Sequence, residues 1–306
     1  MWRFCDGKAG HDRQSAGLVK ALAEYADIEA YCFDVRQCAI TLTQTLRRQL
    51  PYAVHAPDPD LIIGAGRRCQ WPLLQARHAR GGSAIYLMRP SMPTRLFDLN
   101  LIPRHDSPSD SSRIIVTDGV LNDIVGRPPT GSGGLILIGG PSSHFLWNEA
   151  HLLEQLKEIL AASPNKTWVL TDSRRTPKTT SVALSKLARE PACFVPFSQS
   201  SPVWFGEHLT NSDQVWVSSD SVSMIFEALS AGSAVGALEV PAKRSSRVST
   251  LSNTLAQRNM VTTFTAWRNG EALQARKPLA EAVRCAKIIL SRWDDASRRI
   301  VNARLK

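Results

Sequence analysis

The feature that most constrains this chain is a repeated pattern, in which a short apolar run ends in glycine or polar residues and a stretch with helical periodicity follows. This alternation is typical of βα units in a parallel sheet, so the fold class is predicted to be α/β. The predicted strands are Trp2–Cys5, Glu29–Val35, Leu61–Ile63, Ala84–Met88, Leu99–Ile102, Arg113–Thr117, Leu135–Ile138, Thr167–Leu170, Cys193–Pro196, Gln214–Val217 and Ala234–Leu238. The predicted helices are a stretch around Leu18–Tyr25, a segment from about Pro72, and Glu149–Ala161, Ser181–Ala188, Val222–Ala231 and Leu279–Trp293.

The chain is expected to divide near its middle. Its 306 residues suggest about two domains, and the segment Gly126–Gly134 has the Gly/Pro/Ser-rich, aperiodic composition of a linker. We predict an N-terminal domain over residues 1–127, a linker over 128–134, a C-terminal domain over 135–278, and a helix over 279–306 that packs back on the N-terminal domain. Two such halves predict a cleft, and open parallel sheets bind ligands beyond the carboxyl ends of their strands.

The charge of the chain favours an anionic partner. Thirty-seven Lys and Arg residues against 27 Asp and Glu residues give a net charge of +10, which suits nucleic acid, a phosphorylated ligand or an anionic membrane surface. The basic residues lie in small groups, and for most of them the plain alternative is a solvated surface. Aromatic residues are not interleaved with these groups, so no nucleic acid is expected as a partner.

Several functional classes are excluded by motifs that the sequence lacks. No apolar run approaches the ~20 residues of a membrane-spanning helix, and no secretory signal is visible. The six cysteines have neither zinc-site nor disulfide spacing, which is typical of a reducing compartment, so a cytoplasmic protein is predicted. The motif Asp58-Pro59-Asp60 precedes a strand rather than ending one, and no His/Cys cluster is present, so neither a metal nor another cofactor is expected.

The first loop with chemical potential follows strand Trp2–Cys5. Its spacing G-x-x-G differs from the fingerprints of dinucleotide binding and of NTPases, but glycines beside a helix start suit an anion. The predicted acceptor or phosphate residues of this loop are Gly7, Lys8 and Gly10. His11 and Asp12 are candidates for a general base. The alternative is that Asp12 or Ser15 caps the helix and that His11 is an exposed loop residue.

The second loop repeats this composition after strand Leu61–Ile63. It contains Gly64, Gly66 and Arg67, followed by a second arginine, and arginines beside a glycine turn suit bidentate binding of phosphate or carboxylate. The alternative is that both arginines are surface residues that cover the following Trp71.

Two loops of the C-terminal half have compositions that suit a diphosphate. Gly139, Gly140 and Ser142 follow the first strand of that half, where small residues and hydroxyls before a helix can hold a diphosphate without a metal. The alternative is that the serine only caps a helix. In the next such loop, Ser173, Arg174 and Arg175 follow a strand, and at least one arginine is expected to neutralise phosphate charge.

The fifth loop is the most specific. A strand ends in a Ser-rich turn with Ser219, Ser221 and Ser223, and the helix that begins there offers free amides to an anion. Glu227 lies one to two turns into this otherwise apolar helix, where a carboxylate can accept hydrogen bonds from two ribose hydroxyls. The alternative for Glu227 is a surface acid that interacts favourably with the helix dipole.

These motifs occur in this order in one known family. The segments are Asp6–Ser15, Pro59–Arg68, Val116–Gly119, Ile138–Ser142 and Ser219–Met224. On them the chain resembles the mitochondrial-fission "elongated mitochondria" family, whose bacterial members are described as lipooligosaccharide outer-core glycosyltransferases. The resemblance extends from residue 2 to about residue 265. The chain departs from the family in lacking a longer apolar first strand, so a short first strand with a less rigid loop is expected.

The resemblance implies a metal-independent glycosyltransferase with two facing Rossmann-like domains, the GT-B arrangement. It implies a nucleotide-sugar donor held by the C-terminal half and a glycan or glycolipid acceptor, such as a lipopolysaccharide core, held by the N-terminal half. Glu227 matches the acid that binds the donor ribose, and His11 matches a base-like histidine. The Ser-rich turn and the pair Gly139-Gly140 match the donor loops. With such an acceptor, basic groups could hold the protein peripherally on the anionic inner face of the cytoplasmic membrane.

Two other functions were weighed against this interpretation. One is a non-enzymatic scaffold of the same fold that recruits a membrane-associated partner, as plant relatives are associated with recruiting a fission dynamin; the retention of Gly7, Gly10, Gly139, Gly140 and Glu227 favours an enzyme instead. The other is a sugar-nucleotide epimerase. It is excluded on the grounds that the chain has neither a dinucleotide fingerprint nor a Tyr-x-x-x-Lys pair.

Overall fold

The computed structural model describes residues 1–39, 41–126 and 131–304, and for Leu42 and residues 294–304 it describes the backbone alone. The described elements are β1 (Trp2–Cys5), α1 (Ala9–Ala23), β2 (Tyr31–Asp34), α2 (Leu42–Leu46), β3 (Leu61–Ala65), α3 (Gln70–Arg80), β4 (Ser83–Leu87), β5 (Leu99–Pro103), β6 (Ile114–Thr117), β7 (Gly133–Leu137), α4 (Glu149–Ala162), β8 (Trp168–Thr171), α5 (Lys178–Leu187), β9 (Cys193–Val195), α6 (Pro202–Asn211), β10 (Ser212–Ser218), α7 (Val222–Ala231), β11 (Ala234–Leu238), α8 (Leu251–Gln257), β12 (Thr262–Thr263), α9 (Phe264–Arg268) and α10 (Glu281–Arg304).

The chain forms two compact units, one comprising Met1–Asp123 with Ala280–Lys306 and the other Ile124–Leu279. Each contains a six-stranded sheet, with the strand order β2-β1-β3-β4-β5-β6 in unit 1 and β12-β11-β10-β7-β8-β9 in unit 2. All pairs within the two sheets are parallel. The predicted α/β class is confirmed. Because parallel strands end at the same edge, each sheet gathers its strand-end loops along one edge.

The sheet of unit 1 is covered on both faces, which explains why its strands are apolar almost throughout. One face packs against α1 and α10, whose Leu18, Leu22 and Ile289 are buried in a common cluster. The other face packs against α3, and its cluster includes Trp2, Phe4 and other buried residues. The C-terminal helix α10 thus belongs to the core of unit 1.

Unit 2 is built around tryptophan side chains that pack against glycines in neighbouring strands. A Cβ atom at Gly134 would lie 2.2 Å from the Trp168 ring, and one at Gly236 would lie 2.3 Å from the Trp216 ring. Gly133 and Gly134 belong to strand β7. The predicted linker over residues 128–134 therefore extends too far, because its last two residues are part of the sheet. The predicted linker residues 128–130 lie outside the described residues. None of the described helices has the length and apolar composition needed to cross a membrane.

Candidate functional site

In unit 1 the residues of the predicted first loop lie mostly in a helix. Helix α1 begins at Ala9 with Lys8 as its N-cap, so His11 and Asp12 lie in its first turn, and Gly10 is helical as well. The Lys8 side chain makes no capping hydrogen bond. Neither Asp12 nor Ser15 is the N-cap, which excludes the alternative that one of them serves only to cap the helix.

His11 forms a hydrogen-bonded pair with Asp6, which is not among the predicted site residues. The Nδ1 atom of His11 lies 2.9 Å from Oδ2 of Asp6. The Asp6 side chain is only 1% exposed and that of His11 is 20% exposed, and the other Asp6 oxygen accepts the Lys8 amide at 3.0 Å. The carboxylate therefore fixes the ring through Nδ1 and leaves Nε2 for a second partner.

Gly66 brings the second predicted loop to the same place. Its backbone has a φ of +89°, and a Cβ atom there would lie 2.2 Å from Nδ1 of His11 and 2.8 Å from Oδ2 of Asp6. The strands β1 and β3 that precede the two loops are neighbours in the sheet. The structure thus joins Gly66, His11 and Asp6 in one cluster, and only glycine leaves room for the imidazole.

Asp12 lies beside this cluster. Burial and the charge of the nearby Asp6 carboxylate raise the pKa of the Asp12 carboxyl. Its Oδ1 atom is buried and accepts no hydrogen bond from the described residues. The Arg3 side chain stabilises the start of α1, because it donates to the Asp12 carbonyl at 2.7 Å and to the Ser15 hydroxyl at 2.9 Å.

The other predicted residues of unit 1 divide into packing and exposed positions. Gly64 lies inside strand β3, not in the loop, and a Cβ atom there would lie 3.1 Å from Cys69 and Leu73 atoms. A side chain at this position would therefore press against the core of unit 1. Gly7, with a φ of +75°, faces the Arg36 guanidinium. Lys8 and Arg67 are exposed.

In unit 2 the paired glycines pack against protein groups. The Gly139 amide donates to the Ser218 hydroxyl at 2.7 Å, and the Gly140 amide donates to Oδ2 of Asp220 at 3.0 Å. A Cβ atom at Gly139 would lie 2.2 Å from that carboxylate, and one at Gly140 would lie 2.2 Å from the Arg175 carbonyl oxygen. Asp220 and Arg175 thus approach the backbone of these two glycines closely, and a side chain at either glycine would displace them.

Asp220 is the centre of this arrangement. Its side chain is fully buried, and Arg175 donates to its Oδ2 atom at 2.7 Å and to the Gly140 carbonyl at 2.8 Å. The other oxygen, Oδ1, is buried without a hydrogen-bond donor among the described residues. Arg175 therefore already has an anionic partner within unit 2.

The remaining polar residues of these two loops hold the loops together. The Ser173 hydroxyl donates to the Gly139 carbonyl at 3.0 Å, and the Ser142 hydroxyl accepts the amides of His144 and Phe145. Arg174 differs, because it is exposed and its guanidinium carbon lies 5.9 Å from the centre of the Phe197 ring.

The Ser-rich turn leads into α7 as predicted. Ser221 is the N-cap of this helix, and its side chain makes no capping hydrogen bond, so the first amides of α7 are a suitable anion site. Ser219 accepts the Val240 amide at 3.1 Å, while Ser223 is half-buried. Glu227 is only 3% exposed, which excludes the alternative that it is a surface acid.

Two residues central to these clusters, Asp6 and Asp220, were absent from the predicted site. Each stands inside a motif that was recognised, beside a glycine or serine that was selected instead. Asp6 directly follows the predicted strand Trp2–Cys5, and Asp220 lies three residues after the predicted strand Gln214–Val217. An acid at or just beyond a strand end is therefore the signal that could have identified both. Among the residues that the structure describes, no group of three or more His, Cys, Asp and Glu side chains is arranged to hold a metal.

Comparison with known proteins gives a family and a fold. The family model described as mitochondrial fission ELM1 matches residues 9–293. An uncharacterized protein of Rickettsia prowazekii is 22% identical, over 94% of this chain and 97% of its own length.

Two solved structures are similar in fold at low identity. One is from Listeria monocytogenes and is described as a UDP-N-acetylglucosamine 2-epimerase; it is 13% identical, covers 97% of this chain and 96% of its own, and has a TM-score of 0.65. The other is the UDP-GlcNAc 2-epimerase of Neisseria meningitidis bound to UDP-GlcNAc, 12% identical over 95% and 97% of the two chains, with a TM-score of 0.60. The fold is thus the GT-B type, with two Rossmann-like units.

These structures also bear on the exclusion of an epimerase in the sequence analysis. An epimerase was excluded because the chain lacks a dinucleotide fingerprint, but proteins named as epimerases share the fold of this chain. That exclusion therefore does not extend to epimerases of this fold.

Proposed function

Because the chain belongs to the mitochondrial fission ELM1 family and has a GT-B fold, we propose that it is a metal-independent glycosyltransferase that uses a nucleotide-sugar donor. The observation that carries this proposal is the His11–Asp6 pair beside Gly66. A half-buried imidazole held by a buried carboxylate is suited to accept a proton from a hydroxyl group. UDP and UDP-sugar are also the ligands named for proteins of similar fold.

In the proposed reaction, His11 acts as the general base. Nε2 of His11 takes the proton of the acceptor hydroxyl as its oxygen attacks the anomeric carbon of the sugar, and the bond from that carbon to the diphosphate breaks. Asp6, bound to Nδ1, orients the ring and stabilises the positive charge that forms on it. Asp12 is the second candidate for this role, since its raised pKa makes its carboxylate a stronger base.

The leaving nucleoside diphosphate carries the developing negative charge. We assign its stabilisation to the uncapped amino end of α7 with the surrounding Ser221 and Ser223, and to the exposed guanidinium of Arg174. Arg175 contributes by holding the Gly140 loop in place rather than by supplying a free charge. Glu227 is the proposed partner of the donor ribose.

The proposed acceptor is a glycan or glycolipid such as a lipopolysaccharide core. An acceptor anchored in a membrane would bring the protein to an anionic surface, where the net charge of +10 favours peripheral binding. Binding to vesicles of phosphatidylglycerol that weakens at high salt would support this part of the proposal. Binding that does not depend on salt would contradict it.

A thermal-shift screen against UDP-, GDP-, CDP- and ADP-linked sugars tests donor binding. One nucleotide is expected to raise the melting temperature, and calorimetry should then show that Glu227→Ala abolishes its binding. Glu227→Gln controls for the loss of a buried side chain, and Glu154→Ala, which removes an exposed acid of α4, should bind as the unmodified protein does. Unchanged affinity in Glu227→Ala would remove that residue from the donor site.

A second candidate is an epimerase that acts on a nucleotide sugar, and the fold shared with proteins named as UDP-N-acetylglucosamine 2-epimerases favours it. The two functions differ when no acceptor is present. An epimerase would convert UDP-GlcNAc alone into its C2 epimer, which NMR of the sugar protons would detect, whereas a transferase would leave the donor sugar's configuration unchanged. If no nucleotide binds at all, the scaffold alternative would replace both.

A further inference from the structure

Unit 2 contains a pocket of about 440 Å³ that none of the predicted site residues lines. Its six lining residues come from two loops and are Ser143, His144, Lys243, Arg244, Ser245 and Ser246. The loops follow β7 and β11, two parallel strands that flank β10 in the sheet. The pocket therefore lies at the edge where an open parallel sheet binds its ligands.

The walls of this pocket are fixed by backbone hydrogen bonds. Phe145 and Ala242 form an antiparallel bridge between the two loops. The Leu146 amide donates to the Pro241 carbonyl at 2.7 Å, and the Lys243 amide donates to the His144 carbonyl at 2.9 Å. The side chains that line the pocket are thus mounted on a short two-stranded ribbon.

The lining has a positive charge and many hydrogen-bond donors. Lys243 and Arg244 contribute two cations, and the other four residues are three serines and a histidine, with no carboxylate among the six. The Lys243 ammonium donates one hydrogen bond to the Ser142 carbonyl at 2.8 Å and retains two further protons. Arg244 is exposed and makes no side-chain hydrogen bond within the part of the chain that the structure describes.

This combination suits a sugar that carries an acidic group. Cations that have donors to spare bind carboxylate or phosphate oxygens, while serine hydroxyls and imidazole can bind sugar hydroxyls in either direction. The volume falls within the ~300–1,000 Å³ of small-molecule sites, more than a single anion requires. The pocket is open, since five of its six lining residues are exposed, so the test below includes an anionic membrane surface as a competing ligand.

We propose that this pocket, formed by residues 143–144 and 243–246, binds an acidic sugar, a ring bearing a carboxylate or a phosphate. The Lys243 ammonium donates to the Ser142 carbonyl, so the pocket adjoins the loop that was predicted to bind the donor. If the proposed function holds, the acidic sugar is therefore the sugar that is transferred. The nucleotide is not needed for the pocket's own interaction, so the pocket can be tested without it.

The test uses NMR titration of the backbone amides with four probes. D-glucuronate, glucose 6-phosphate, D-glucose and inorganic phosphate differ in whether they carry the ring, the charge or both. At least one of the two acidic sugars is expected to shift the amides of residues 143–144 and 243–246 with an affinity at least about tenfold higher than that of glucose or inorganic phosphate. The preferred acid distinguishes a carboxylate from a phosphate.

The matched variants remove two charges each. Lys243→Ala/Arg244→Ala is expected to weaken acidic-sugar binding at least about tenfold, while Lys186→Ala/Arg189→Ala, two exposed cations at the end of α5, should leave it unchanged. Equal binding of glucose or of inorganic phosphate would overturn the proposal. So would shifts that appear only with phosphatidylglycerol vesicles, which would make these residues a membrane contact. A bound acidic sugar without any nucleotide binding would instead contradict the proposed function alone.

Discussion

Gly66 in unit 1 and Gly139 in unit 2 have similar surroundings, but the carboxylates that face them bind different partners. Each follows a buried parallel strand and faces a buried carboxylate: a Cβ atom at Gly66 would lie 2.8 Å from Oδ2 of Asp6, and one at Gly139 would lie 2.2 Å from Oδ2 of Asp220. In unit 1 the carboxylate binds an imidazole, whereas in unit 2 it binds the Arg175 guanidinium.

The difference in partner decides what each cluster can do. A neutral imidazole can accept a proton at its second nitrogen, while a guanidinium has no atom that accepts one. The cluster of Asp6, His11 and Gly66 is therefore suited to proton transfer. The cluster of Asp220, Arg175 and Gly139 is suited to fixing the loops of unit 2 in one conformation.

The largest effect is expected from a substitution that disrupts the unit 1 cluster. His11→Ala is expected to lower the rate of sugar transfer at least ~100-fold, because it removes the proposed general base. Donor affinity should change by less than about twofold, since the donor is assigned to unit 2. Single-turnover rates and calorimetric titration measure the two quantities separately. Equal loss of both would show that His11 binds the donor and is not the base.

A smaller effect, on stability, is expected from breaking the unit 2 cluster. Asp220→Ala should lower the free energy of unfolding by about 2 kcal/mol, because it leaves the buried Gly140 amide without its acceptor and removes the carboxylate partner of Arg175. Urea denaturation measures this change.

The control is Glu158→Ala, which removes an ion pair with Arg268 in which the two side chains are 41% and 64% exposed, respectively, and should cost no more than ~1 kcal/mol. If the two substitutions cost the same, the Asp220 cluster is not a structural centre of unit 2.

The sequence predicted the location of these clusters but not their contacts. Parallel strands ending in polar loops are visible as a pattern, and this pattern correctly indicated an α/β fold with polar residues gathered at strand ends. A glycine shows that something approaches the backbone closely, but the sequence does not say what. At Gly139 the neighbour is Asp220, and at Gly134 it is the Trp168 ring.

The same reasoning explains why side-chain partners were missed. The pairs Asp6–His11 and Arg175–Asp220 depend on how far α1 extends toward β1 and on which strands are neighbours in the sheet. Helix α1 begins at Ala9, several residues earlier than the predicted loop allowed. That earlier start brings His11 within hydrogen-bond distance of Asp6, and no local propensity in the loop sequence encodes the contact.

Replacing Gly66 separates backbone strain from the contact with His11. Gly66 (φ +89°, ψ 150°) and Gly81 (φ +76°, ψ −155°) both have conformations that favour glycine, so alanine should cost each of them about 1–3 kcal/mol. Around Gly81 a Cβ atom would meet nothing within 4 Å, whereas at Gly66 it would meet the imidazole at 2.2 Å. Gly66→Ala should therefore lower both stability and transfer rate, and Gly81→Ala should lower stability alone. Equal transfer rates in the two variants would show that the imidazole position does not matter for catalysis.

The smallest expected effect concerns a thiol beside the unit 1 cluster. A hydrogen bond from Cys5 and the positive charge of Arg3, whose guanidinium lies 3.6 Å from the Cys32 sulfur, together lower the pKa of Cys32 to about 6. Since the thiolate is the reactive form, the rate of alkylation of Cys32 by iodoacetamide should rise with pH and reach half its maximum near pH 6.

Two variants show which of the groups that lower the pKa of Cys32 also stabilises the first turns of α1. Cys5→Ala and Arg3→Gln should each move the midpoint of alkylation to higher pH, because each removes a group that favours the thiolate. Only Arg3→Gln should also slow sugar transfer, since Arg3 donates to the Asp12 carbonyl and to Ser15 beside the His11 pair. Mass spectrometry of the alkylated peptide identifies the site. A midpoint that stays near the 9.0 of an ordinary thiol would show that Arg3 and Cys5 do not hold Cys32 as described.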